Sequence, residues 1–340
     1  MASIVITNFN GASVLPSTLE SISRMQPPPE EVILVDDGST DDSLNIARKA
    51  LPGLRIIEMK RNTRRPNKVR NTGIRAAKSR YVFLIDNDVS FDPDVLGVLE
   101  GSLKSLPGAA ICTPRLYHAD DPTRIYIDGQ RFHFIGQTVQ SHRNEIRPRE
   151  TGEVEGRWCG GVCMIDREKV KEVGFFDEDY YFGWGEDGQF YHRVTLLGYK
   201  CYHILHAVGF HWGKTRTTER AFAQIRNRWI LMLELYQFST LIKLAPALFV
   251  FEIAQVLGLL LAGAPAVYVR AVGNVLVRLP RTLWKRRRIQ RTRKVMDREF
   301  FISGPIYLSP ALLRLKFVRA AFYVMNGFFD AYWRAVKASL

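Results

Sequence analysis

Short apolar runs alternate with amphipathic segments through the first ninety residues. Residues 4–6, 32–35, 54–57 and 81–85 are mostly apolar and rich in β-branched side chains, a pattern that predicts buried strands. Between these runs, apolar residues recur at helical spacing. Strands that alternate with helices at this pace predict a parallel sheet with helices on its faces. The sequence therefore predicts an α/β fold.

Polar loops follow three of the four predicted strands. Residues 7–11 follow the first strand, residues 36–42 the second and residues 86–88 the fourth. The carboxyl ends of parallel strands meet at one edge of the sheet, and open α/β sheets bind ligands there. The chain has no G-x-G-x-x-G after a strand and no G-x-x-x-x-G-K-[ST]. The pattern therefore favours a nucleotide site built from separate loops.

Asp86 and Asp88 stand at the end of the fourth predicted strand, separated by one residue. Two carboxylates this close repel each other unless a cation lies between them, and oxygen ligands suit Mg²⁺ or Mn²⁺. The alternative is that one of them caps the helix expected near Pro93. We expect Asp92 to fill that cap, so we interpret the pair as a metal site.

Most of the charge of the 340-residue chain, +14 in total, lies in one segment. Residues 270–298 contain eleven Lys and Arg and one acid, Asp297, which gives +10, so the other 311 residues carry only +4. A local basic patch indicates an anionic partner such as a phospholipid surface or nucleic acid. Trp284 is the only aromatic residue within it, which argues against nucleic acid.

Residues 244–269 contain a single charge, Glu252, and are long enough to cross a bilayer. Two features oppose a simple span: Gly263-Ala264-Pro265 interrupts the run, and Gln255 accompanies Glu252 inside it. A single crossing would also separate the basic segment from the catalytic part, against the positive-inside tendency. We therefore expect a hairpin that enters one leaflet, or helices that lie in the interface, with basic residues contributing about 1 kcal/mol each. The expected location is the cytoplasmic face of the cell membrane, as a peripheral or monotopic protein.

A further helix is expected to start at Ser309-Pro310, with Pro in its first turn. Its apolar stripe, which lies either on lipid or on the catalytic domain, comprises Leu312, Leu315, Val318, Phe322 and Met325.

The four cysteines lack zinc-ligand spacing and are too few for a disulfide framework. Cys159 and Cys163 are expected to be packing residues rather than a redox pair. The first strand begins almost at the initiator Met, so no signal peptide is expected and a reducing, cytosolic setting follows.

Several motifs, in order along the chain, resemble those of the family 2 glycosyltransferases of the GT-A fold. In the first part they are Thr7-Asn8-Phe9-Asn10, Val35-Asp36-Asp37-Gly38-Ser39-Thr40-Asp41, Asn71-Thr72-Gly73 and Asp86-Asn87-Asp88. Downstream they are Gly160-Gly161, Gly174-Phe175-Phe176-Asp177-Glu178, Trp184-Gly185-Glu186-Asp187 and Arg193 with Gly198-Tyr199. The resemblance spans residues 3–215. The stretch Arg226-Asn227-Arg228 and the apolar, basic tail are similar to rhamnosyltransferase-like enzymes of cell-surface polysaccharide assembly.

The resemblance implies a GT-A (nucleotide-diphospho-sugar transferase) fold, with a mostly parallel sheet flanked by helices. The implied division is a catalytic domain over residues 1–215 and a helical, membrane-associating region over residues 216–340. The implied reaction is an inverting, metal-assisted transfer of a sugar, rhamnose among the candidates, from a UDP- or dTDP-linked donor. The implied acceptor is a hydroxyl of a lipid-linked or cell-surface glycan.

The resemblance also implies a set of nucleotide-binding residues. Asp36 would accept the N3–H of a pyrimidine ring, Asp37 would lie nearer the ribose, and Phe9 belongs to a loop that covers the base. The alternative for both aspartates is helix or turn capping, and Arg70 is either a phosphate ligand or a surface cation. The full set is Thr7, Asn8, Phe9, Asn10, Asp36, Asp37, Gly38, Asn62, Arg70, Asp86 and Asn87.

The implied cofactor is a divalent metal, Mg²⁺ or Mn²⁺. Asp88 is the first expected ligand, and Asp86 is shared between the metal and a ribose hydroxyl. The family often takes a further ligand from a late histidine, for which His211 is the candidate and His203 and His206 compete.

The acidic turn at Glu186 and Asp187 is expected to carry the chemistry. The resemblance assigns Asp187 as the base that removes the acceptor proton, and Glu186 binds acceptor hydroxyls or caps the next helix. Both acids also suit a helix N-terminus. The expected acceptor and sugar contacts, for which the tryptophans are core residues in the alternative, are Trp158, Gly160, Gly161, Trp184 and Gly185.

Two other function classes stay open at this point. One is a basic membrane- or nucleic-acid-binding protein, although no nucleic-acid partner is expected. The other is a nucleotidyltransferase on a similar fold. Such an enzyme requires a Gly-rich loop after the first strand, which residues 7–11 do not supply.

Overall fold

The computed structural model describes residues 1–147, 149–181, 184–213, 219–306, 314 and 316–340. Backbone proximity divides the chain into two compact units. The sheet unit comprises residues 1–129, 141–182 and 186–217, and the helical unit comprises residues 130–140, 183–185 and 218–340. The expected domain boundary at residue 215 stays a prediction.

Strands and helices alternate through the sheet unit. Its strands are β1 (Ser3–Asn8), β2 (Glu31–Asp36), β3 (Arg55–Glu58), β4 (Tyr81–Asp86), β5 (Val89–Phe91), β6 (Ala109–His118), β7 (Ile125–Ile127), β10 (Glu153–Glu155), β11 (Cys163–Asp166) and β12 (Lys200–His211). Its helices are α1 (Leu15–Ser23), α2 (Ser43–Ala50), α3 (Pro66–Ala76), α4 (Val95–Ser105), α5 (Arg167–Val173) and α6 (Gly188–Leu196).

Long helices dominate the helical unit. They are α7 (Glu219–Leu235), α8 (Phe238–Leu261), α9 (Pro265–Thr292), α10 (Asp297–Phe300) and α11 (Lys316–Val336), followed by a 3₁₀ turn at Lys337–Ser339. A two-stranded sheet formed by β8 (Gln130–Phe132) and β9 (Thr138–Gln140) belongs to the same unit.

The main sheet has the strand order β10-β12-β6-β11-β4-β1-β2-β3. The strands β4, β1, β2 and β3 are parallel, which confirms the α/β pattern predicted from the sequence. β11 lies antiparallel between β4 and β6, a feature that the sequence pattern did not predict. The register pairs Thr7 with Asp86 and Asn8 with Asp36, so the loops after β1, β2 and β4 start at one level.

Helix α3 lies directly against the parallel strands. A Cβ on Gly73 would overlap the side chain of Val5 and come within 3.2 Å of Val35. Only glycine permits this approach. Because α3 follows β3, its first turns lie at the edge where the polar loops meet, and so its side chains can reach the site.

One helix boundary differs from the sequence-based expectation. Asp92 does not cap α4, which starts at Val95 with Asp94 in the N-cap position, and Oδ2 of Asp92 instead accepts from Nη1 of Arg149 at 2.5 Å. The predicted cap was wrong, and Asp92 therefore does not exclude a capping role for Asp86 or Asp88.

Glu252 links three helices of the helical unit. It forms an ion pair with Arg228 of α7, which is fully buried. Its Oε2 also accepts from the hydroxyl of Tyr268 on α9 at 2.6 Å. The single charge in the apolar run of α8 is therefore paired inside the protein.

The predicted break in the apolar run is confirmed, since α8 ends at Leu261 and α9 begins at Pro265. By length and composition, helix α8 could cross a membrane, and 22% of its most apolar 18-residue stretch is buried within the protein. Of the stripe predicted after Ser309, Leu312 and Leu315 lie outside the described residues, together with Ser309 and Pro310. Its other members, Val318, Phe322 and Met325, are half-buried on α11.

Part of the basic segment serves the protein itself. Arg286 donates to the carbonyl oxygens of Leu233 and Tyr236 at the end of α7, at 2.8 and 2.7 Å. Arg293 pairs with Asp297. The basic residues of this segment that are exposed are Arg270, Arg281, Arg287, Arg288, Arg291, Lys294 and Arg298.

Candidate active site

Asn8 connects the ends of three strands. Its Nδ2 donates to Oδ1 of Asp36 at 2.7 Å, and its Oδ1 accepts from Nδ2 of Asn87 at 2.7 Å. Gly11 lies against this pair, where a Cβ would overlap both amide side chains. The loops after β1, β2 and β4 are thus held together by side-chain hydrogen bonds, as their shared edge predicted.

The carboxylates of Asp36 and Asp37 are both buried and both stabilise loops. Asp36 also accepts from the Oγ of Ser39 at 2.6 Å and from its backbone N at 2.8 Å, as the turn-capping alternative predicted. Asp37 accepts from the backbone N of Thr63 at 3.0 Å and from its Oγ1 at 3.1 Å. Burial raises the pKa of Asp37, and the bonds from Thr63 oppose that shift. The roles at the base and the ribose stay predictions.

The loop after β1 is tied to the loop after β2. The backbone N of Asn10 donates to Oγ of Ser39 at 2.8 Å, and Oδ1 of Asn10 accepts from the backbone N of Thr40 at 2.8 Å. Phe9, in the same loop, is 44% exposed and offers a ring to a base. Gly38 has φ +74°, and its Cβ would lie 2.7 Å from the backbone N of Asn62. Asn62 therefore lies at the rim of these loops.

Arg70 is a buried cation among the acidic groups. It is 4% exposed, and its Nη2 lies 3.4 Å from Oδ1 of Asp86. Thr7 donates to the same oxygen at 2.8 Å. Burial lowers the pKa of Arg70, but the charges of Asp86, Asp187 and Glu186 outweigh it and raise the pKa. The surface-cation alternative was wrong, and a guanidinium supplies part of the positive charge that the paired aspartates require.

Gly161 makes room for a charged side chain, and Gly160 lies beside another. A Cβ on Gly161 would overlap the guanidinium of Arg70. Gly160 has φ +46°, and its Cβ would lie 3.5 Å from Oδ2 of Asp187. The hydroxyl of Tyr191 donates to the carbonyl oxygen of Gly160 at 2.9 Å. The expected approach of this backbone to a diphosphate stays a prediction.

The face of α3 that carries Arg70 also holds the segment of the acidic turn. Asn67, three residues earlier, donates to the carbonyl oxygen of Glu186 at 2.7 Å. Asn71 donates to the carbonyl oxygen of Phe176 at 2.9 Å and accepts from its backbone N at 3.1 Å. Residues three and four apart lie on one helix face. One helix therefore positions both Arg70 and the acidic turn.

Asp187 caps α6 and lies in a buried, charged environment. Its Oδ1 accepts from the backbone N of Gly188 at 2.7 Å. Burial raises its pKa, the charge of Arg70 lowers it in part, and the charge of Asp86 raises it further. A carboxylate with a raised pKa is a better proton acceptor than an ordinary aspartate. Capping and base chemistry are compatible here, whereas Glu186 is not the cap of α6.

Strand β5 brings His211 next to Asp88. β5 begins directly after Asp88 and pairs antiparallel with the end of β12, so that Val89 lies opposite His211. Oδ1 of Asp88 and Nε2 of His211 are 3.7 Å apart. Of the competing histidines, His203 is fully buried and His206 lies near the backbone of Gly152.

Asp88 and His211 fit two positions of a divalent cation. Two ligands with bonds of about 2.1 Å to one ion lie at most about 4.2 Å apart. Across the described ranges, no cluster of three or more His, Cys, Asp or Glu has metal-ligand geometry. Mg²⁺ in particular binds through one or two carboxylates together with substrate phosphates and waters. The pair therefore fits a cation whose coordination a bound diphosphate completes, while Asp86 is engaged by Arg70 and Thr7.

Comparison with known families decides the enzyme class. The model of the family described as Glycosyl transferase family 2 matches residues 3–174, which is 172 of the 340 residues. The chain belongs to the family 2 glycosyltransferases. The match covers the loops after β1, β2 and β4, Arg70 and Gly160-Gly161. The resemblance noted in the sequence is thereby confirmed.

The glycosyltransferase is 28% identical over 255 residues to chondroitin synthase of Escherichia coli, an alignment that covers 64% of this chain and 36% of that protein. It is 28% identical over 218 residues to the poly(ribitol-phosphate) beta-N-acetylglucosaminyltransferase TarS of Staphylococcus aureus, which covers 55% of this chain and 36% of that protein. The chain spans about a third of the length of these two curated relatives.

Solved structures establish the GT-A fold of the glycosyltransferase. Residues 1–349 of S. aureus TarS superpose with a TM-score of 0.54 at 16% identity, over 98% of this chain and 92% of that one. The mannosyltransferase PcManGT of Pyrobaculum calidifontis, in complex with GDP-Man and Mn²⁺, gives a TM-score of 0.52 at 15% identity, over 86% and 85%. The predicted fold class is confirmed.

The two tryptophans expected at the sugar site differ in environment. Trp158 is 2% exposed and stacks on Tyr191 with ring centroids 5.6 Å apart, so it is a core residue as the alternative held. Trp184 is half-buried, and its carbonyl oxygen accepts from Nδ2 of Asn227 at 2.7 Å. Gly185 has φ +72°, and a Cβ built on it would lie 3.9 Å from the Cβ of Asn227. Sugar contacts of Trp184 and Gly185 stay predictions.

Sequence reasoning missed a cleft beside His211. It has a volume of about 310 Å³ and is lined by Ser13, Val14, Asp120, Trp212 and Gly213. Trp212 is 41% exposed, and its backbone N donates to the carbonyl oxygen of Asp88 at 2.9 Å. An exposed tryptophan, a carboxylate and a hydroxyl suit a sugar, which has an apolar ring face and a polar rim. Trp212 directly follows the candidate histidine, a position that could have drawn attention to it.

The ring of His211 is held in place by its neighbours. It stacks on Tyr126, with centroids 4.1 Å apart and planes at 14°. A Cβ on Gly213 would lie 3.1 Å from Nδ1 of His211 and 3.2 Å from Tyr126. No sequence signal connects residues 126 and 211, since the contact depends on strand pairing.

A buried charged network lies farther along β6 and β12. Nε of Arg115 donates to Oδ1 of Asp128 at 2.6 Å, and both side chains are 1% exposed. Asp128 also contacts Nδ1 of His142, and Nε2 of His203 lies 3.5 Å from its Oδ1. Burial alone would raise the pKa of Asp128, but hydrogen bonds from His203, His142 and Arg115 lower it well below its usual value. This network also explains why His203 is no metal candidate.

Proposed function

We propose that this glycosyltransferase moves a sugar from a nucleoside-diphosphate donor to a hydroxyl of a glycan acceptor, with inversion at the anomeric carbon. The observation that carries the proposal is the environment of Arg70. Its buried charge interacts with Asp86 of the strand-tip loops and with Asp187 of the acidic turn. The candidate donor side and the candidate base thus belong to one charged cluster.

Asp187 is the proposed base. It accepts the proton of the acceptor hydroxyl while the hydroxyl oxygen forms its bond to the anomeric carbon. The bond between that carbon and the diphosphate oxygen breaks, and its electron pair leaves with the diphosphate. Attack opposite the leaving group inverts the configuration. The raised pKa of Asp187 supports this role, and Glu186 is proposed to bind acceptor hydroxyls.

Asp88 and His211 are the residues proposed to hold Mg²⁺ or Mn²⁺. When bound, such an ion stabilises the negative charge that develops on the leaving diphosphate. Arg70 and Thr7 hold the carboxylate of Asp86 in one orientation. With Asp86 fixed in this way, its other oxygen is proposed to face the ribose.

The proposed donor is a UDP- or dTDP-linked sugar, with rhamnose kept among the candidates. S. aureus TarS, which shares the fold, has been crystallised with UDP-GlcNAc. A carboxylate at N3 of the base would not distinguish uridine from thymidine, because the ring methyl lies elsewhere.

The proposed acceptor is a saccharide, either lipid-linked or part of a cell-surface glycan. The cleft lined by Trp212, Asp120 and Ser13 supports this, because it offers a ring surface and polar groups beside Asp88. The names of two relatives, a chondroitin synthase and a poly(ribitol-phosphate) beta-N-acetylglucosaminyltransferase, are consistent with a glycan acceptor.

The experiment is a screen of UDP-, dTDP- and GDP-linked sugars with the purified full chain, oligosaccharide acceptors and lipid-linked acceptors. We expect release of nucleoside diphosphate that requires Mg²⁺ or Mn²⁺, and a product of inverted anomeric configuration by NMR. A product of retained configuration would overturn the mechanism. Release of pyrophosphate from a nucleoside triphosphate and a sugar phosphate would instead establish a nucleotidyltransferase.

A further inference from the structure

The α8–α9 hairpin ends in a segment without charge. The 17 residues 253–269 contain no Asp, Glu, Lys or Arg. They form the last turns of α8, the connection and the first turn of α9, and we call them the hairpin tip. Large apolar side chains are exposed on it, with Leu257 53%, Leu260 52%, Leu261 66% and Val269 71% exposed. Nothing in the described part of the helical unit covers them.

Polar groups mark the level at which the hairpin tip ends on both arms. Glu252 is the last charged residue of α8 before the tip, and Arg270 is the first of α9 after it. Tyr268 bridges the arms at that level, since its hydroxyl donates to Glu252 at 2.6 Å. Glu252 in turn pairs with the buried Arg228. The uncharged segments of α8 and α9 therefore begin at the same level along the hairpin.

The length of the hairpin tip matches one leaflet of a bilayer. From residue 253 to Leu261, α8 rises about 12 Å at 1.5 Å per residue. Half of a hydrocarbon core is about 15 Å thick. The earlier half of α8 cannot follow into lipid as a span, because Leu244, Ala247, Leu248 and Phe251 are buried within the helical unit.

Beyond the hairpin tip, α9 presents basic side chains to solvent. Arg281, Arg287, Arg288 and Arg291 are exposed. The guanidinium of Arg288 lies over the ring of Trp284, 5.0 Å from its centroid. Tryptophan and arginine together are typical of the membrane interface, and positive charge complements anionic lipid headgroups.

We propose that the hairpin tip enters one leaflet of an anionic phospholipid bilayer and that the basic half of α9 contacts its headgroups. The occupant is lipid because an apolar end and a basic flank follow each other along one hairpin. Nucleic acid would leave the apolar end exposed, and a second copy of the chain would meet the basic flank with like charge.

The experiment is flotation of the full chain with two kinds of vesicle, phosphatidylcholine alone and equal parts of phosphatidylcholine and phosphatidylglycerol. The tip variant is Leu257→Glu with Leu260→Glu. The matched control is Phe238→Glu with Ile242→Glu, which adds the same charges to exposed apolar positions at the other end of α8. We expect the tip variant to lose about tenfold or more of its partitioning, and the control to retain it.

The basic flank is tested with Arg287→Gln, Arg288→Gln and Arg291→Gln combined. We expect weaker binding to the phosphatidylglycerol vesicles and a smaller effect of salt on that binding. Thermal unfolding monitors the fold of each variant. A bimane label at Leu260→Cys gives an independent measure, because the four native cysteines are buried. Quenching of the bimane by lipids that carry bromine at a defined position of the acyl chain should place the label in the hydrocarbon region.

Several outcomes would overturn the proposal. One is a tip variant that floats like the wild type, and another is a label that lipid bromines do not quench. Equal loss in the control would mean that α8 lies flat on the surface. If the wild type forms dimers that the tip variant does not form, and neither binds vesicles, the hairpin tip is an interface with a second copy of the chain. If the wild type binds RNA in a salt-sensitive way and does not float with vesicles, the basic residues of α9 bind nucleic acid.

Discussion

Nη2 of Arg70 lies 3.4 Å from Oδ1 of Asp86, with the guanidinium buried on the inner face of α3. The same charge acts on Asp187, where it lowers a pKa that burial raises. Arg70 therefore contacts the strand tips directly through Asp86 and acts on Asp187 of the acidic turn through its charge. The protonation of Asp187 should therefore depend on the charge of Arg70.

Arg70→Gln should reduce transfer and move the acidic limb of the pH profile of kcat/KM to higher pH. A base works only when deprotonated, so activity falls as the pH drops through its pKa. Without the charge of Arg70 the pKa of Asp187 rises further, and the fall begins at a higher pH. Arg75→Gln is the control, since Arg75 lies exposed on the same helix and pairs with Glu178. If the acidic limb does not move, the charge of Arg70 does not control the protonation of Asp187.

Asp187→Asn should lower kcat by about 10²–10⁴-fold, the usual contribution of a general base. Asparagine is a good N-cap, so α6 should keep its first turn and nucleotide affinity should stay close to that of the wild type. The matched control is Asp166→Asn, because Asp166 caps α5 in the same way through the backbone N of Glu168. Nucleotide binding lost in step with activity would undercut the assignment of the base.

His211→Ala and Asp88→Asn should each weaken Mn²⁺ binding at least about tenfold, measured by electron paramagnetic resonance without any sugar donor. The reason is that their facing atoms, 3.7 Å apart, are proposed to hold one ion. His206→Ala is the control, since that histidine lies on the same strand away from Asp88. Equal Mn²⁺ affinity in all three variants would exclude this pair as the metal site.

Asp128→Asn should lower the free energy of unfolding by about 3 kcal/mol at neutral pH, because it leaves the buried Arg115 with Glu150, at 3.2 Å, as its remaining charged partner. The folded-state pKa of Asp128 is depressed, so its stabilisation is complete above the ordinary value of 3.8 and is lost as the pH falls below it. The difference between variant and wild type should therefore shrink in acid. Asp121→Asn, at an exposed pair with Arg124, should leave stability nearly unchanged in the same urea titrations.

Trp212→Ala should raise the KM for the acceptor roughly three- to tenfold, the equivalent of about 0.5–1.5 kcal/mol for an aromatic contact. Trp212→Phe should lose less, because a ring remains in the cleft. Hydrolysis of the donor in water, without acceptor, should change little in either variant. Donor hydrolysis that falls as much as transfer would move Trp212 to the donor side.

The strand-tip part of the site could be predicted because it depends on local order. Asn8, Asp36 and Asp86 each end an apolar run, and parallel strands bring such ends together whatever the rest of the fold does. The candidate metal histidine was also found, since His211 ends the last strand-like run. Its distance to Asp88 depends on the three-residue strand β5, which is too short to recognise in sequence.

Other features could not be predicted because they depend on contacts between distant segments. Arg70 was expected either at a phosphate or on the surface, and no sequence signal shows that it is buried beside Asp86 or that Gly161 makes room for its guanidinium. Asn67 and Asn71 carry no signal of the loops they hold, more than a hundred residues away. Likewise, the net charge of residues 270–298 does not reveal that Arg286 and Arg293 are used internally.

The placement of Asn67, Arg70 and Asn71 on one helix has a mechanical consequence. A small tilt of α3 would move the surroundings of Asp86 and of Glu186 in the same direction, so that their spacing is preserved while their absolute position changes. In the proposed mechanism, one rigid helix therefore keeps the candidate donor side aligned with the candidate base, and Gly73 sets how closely that helix approaches Val5 of the sheet.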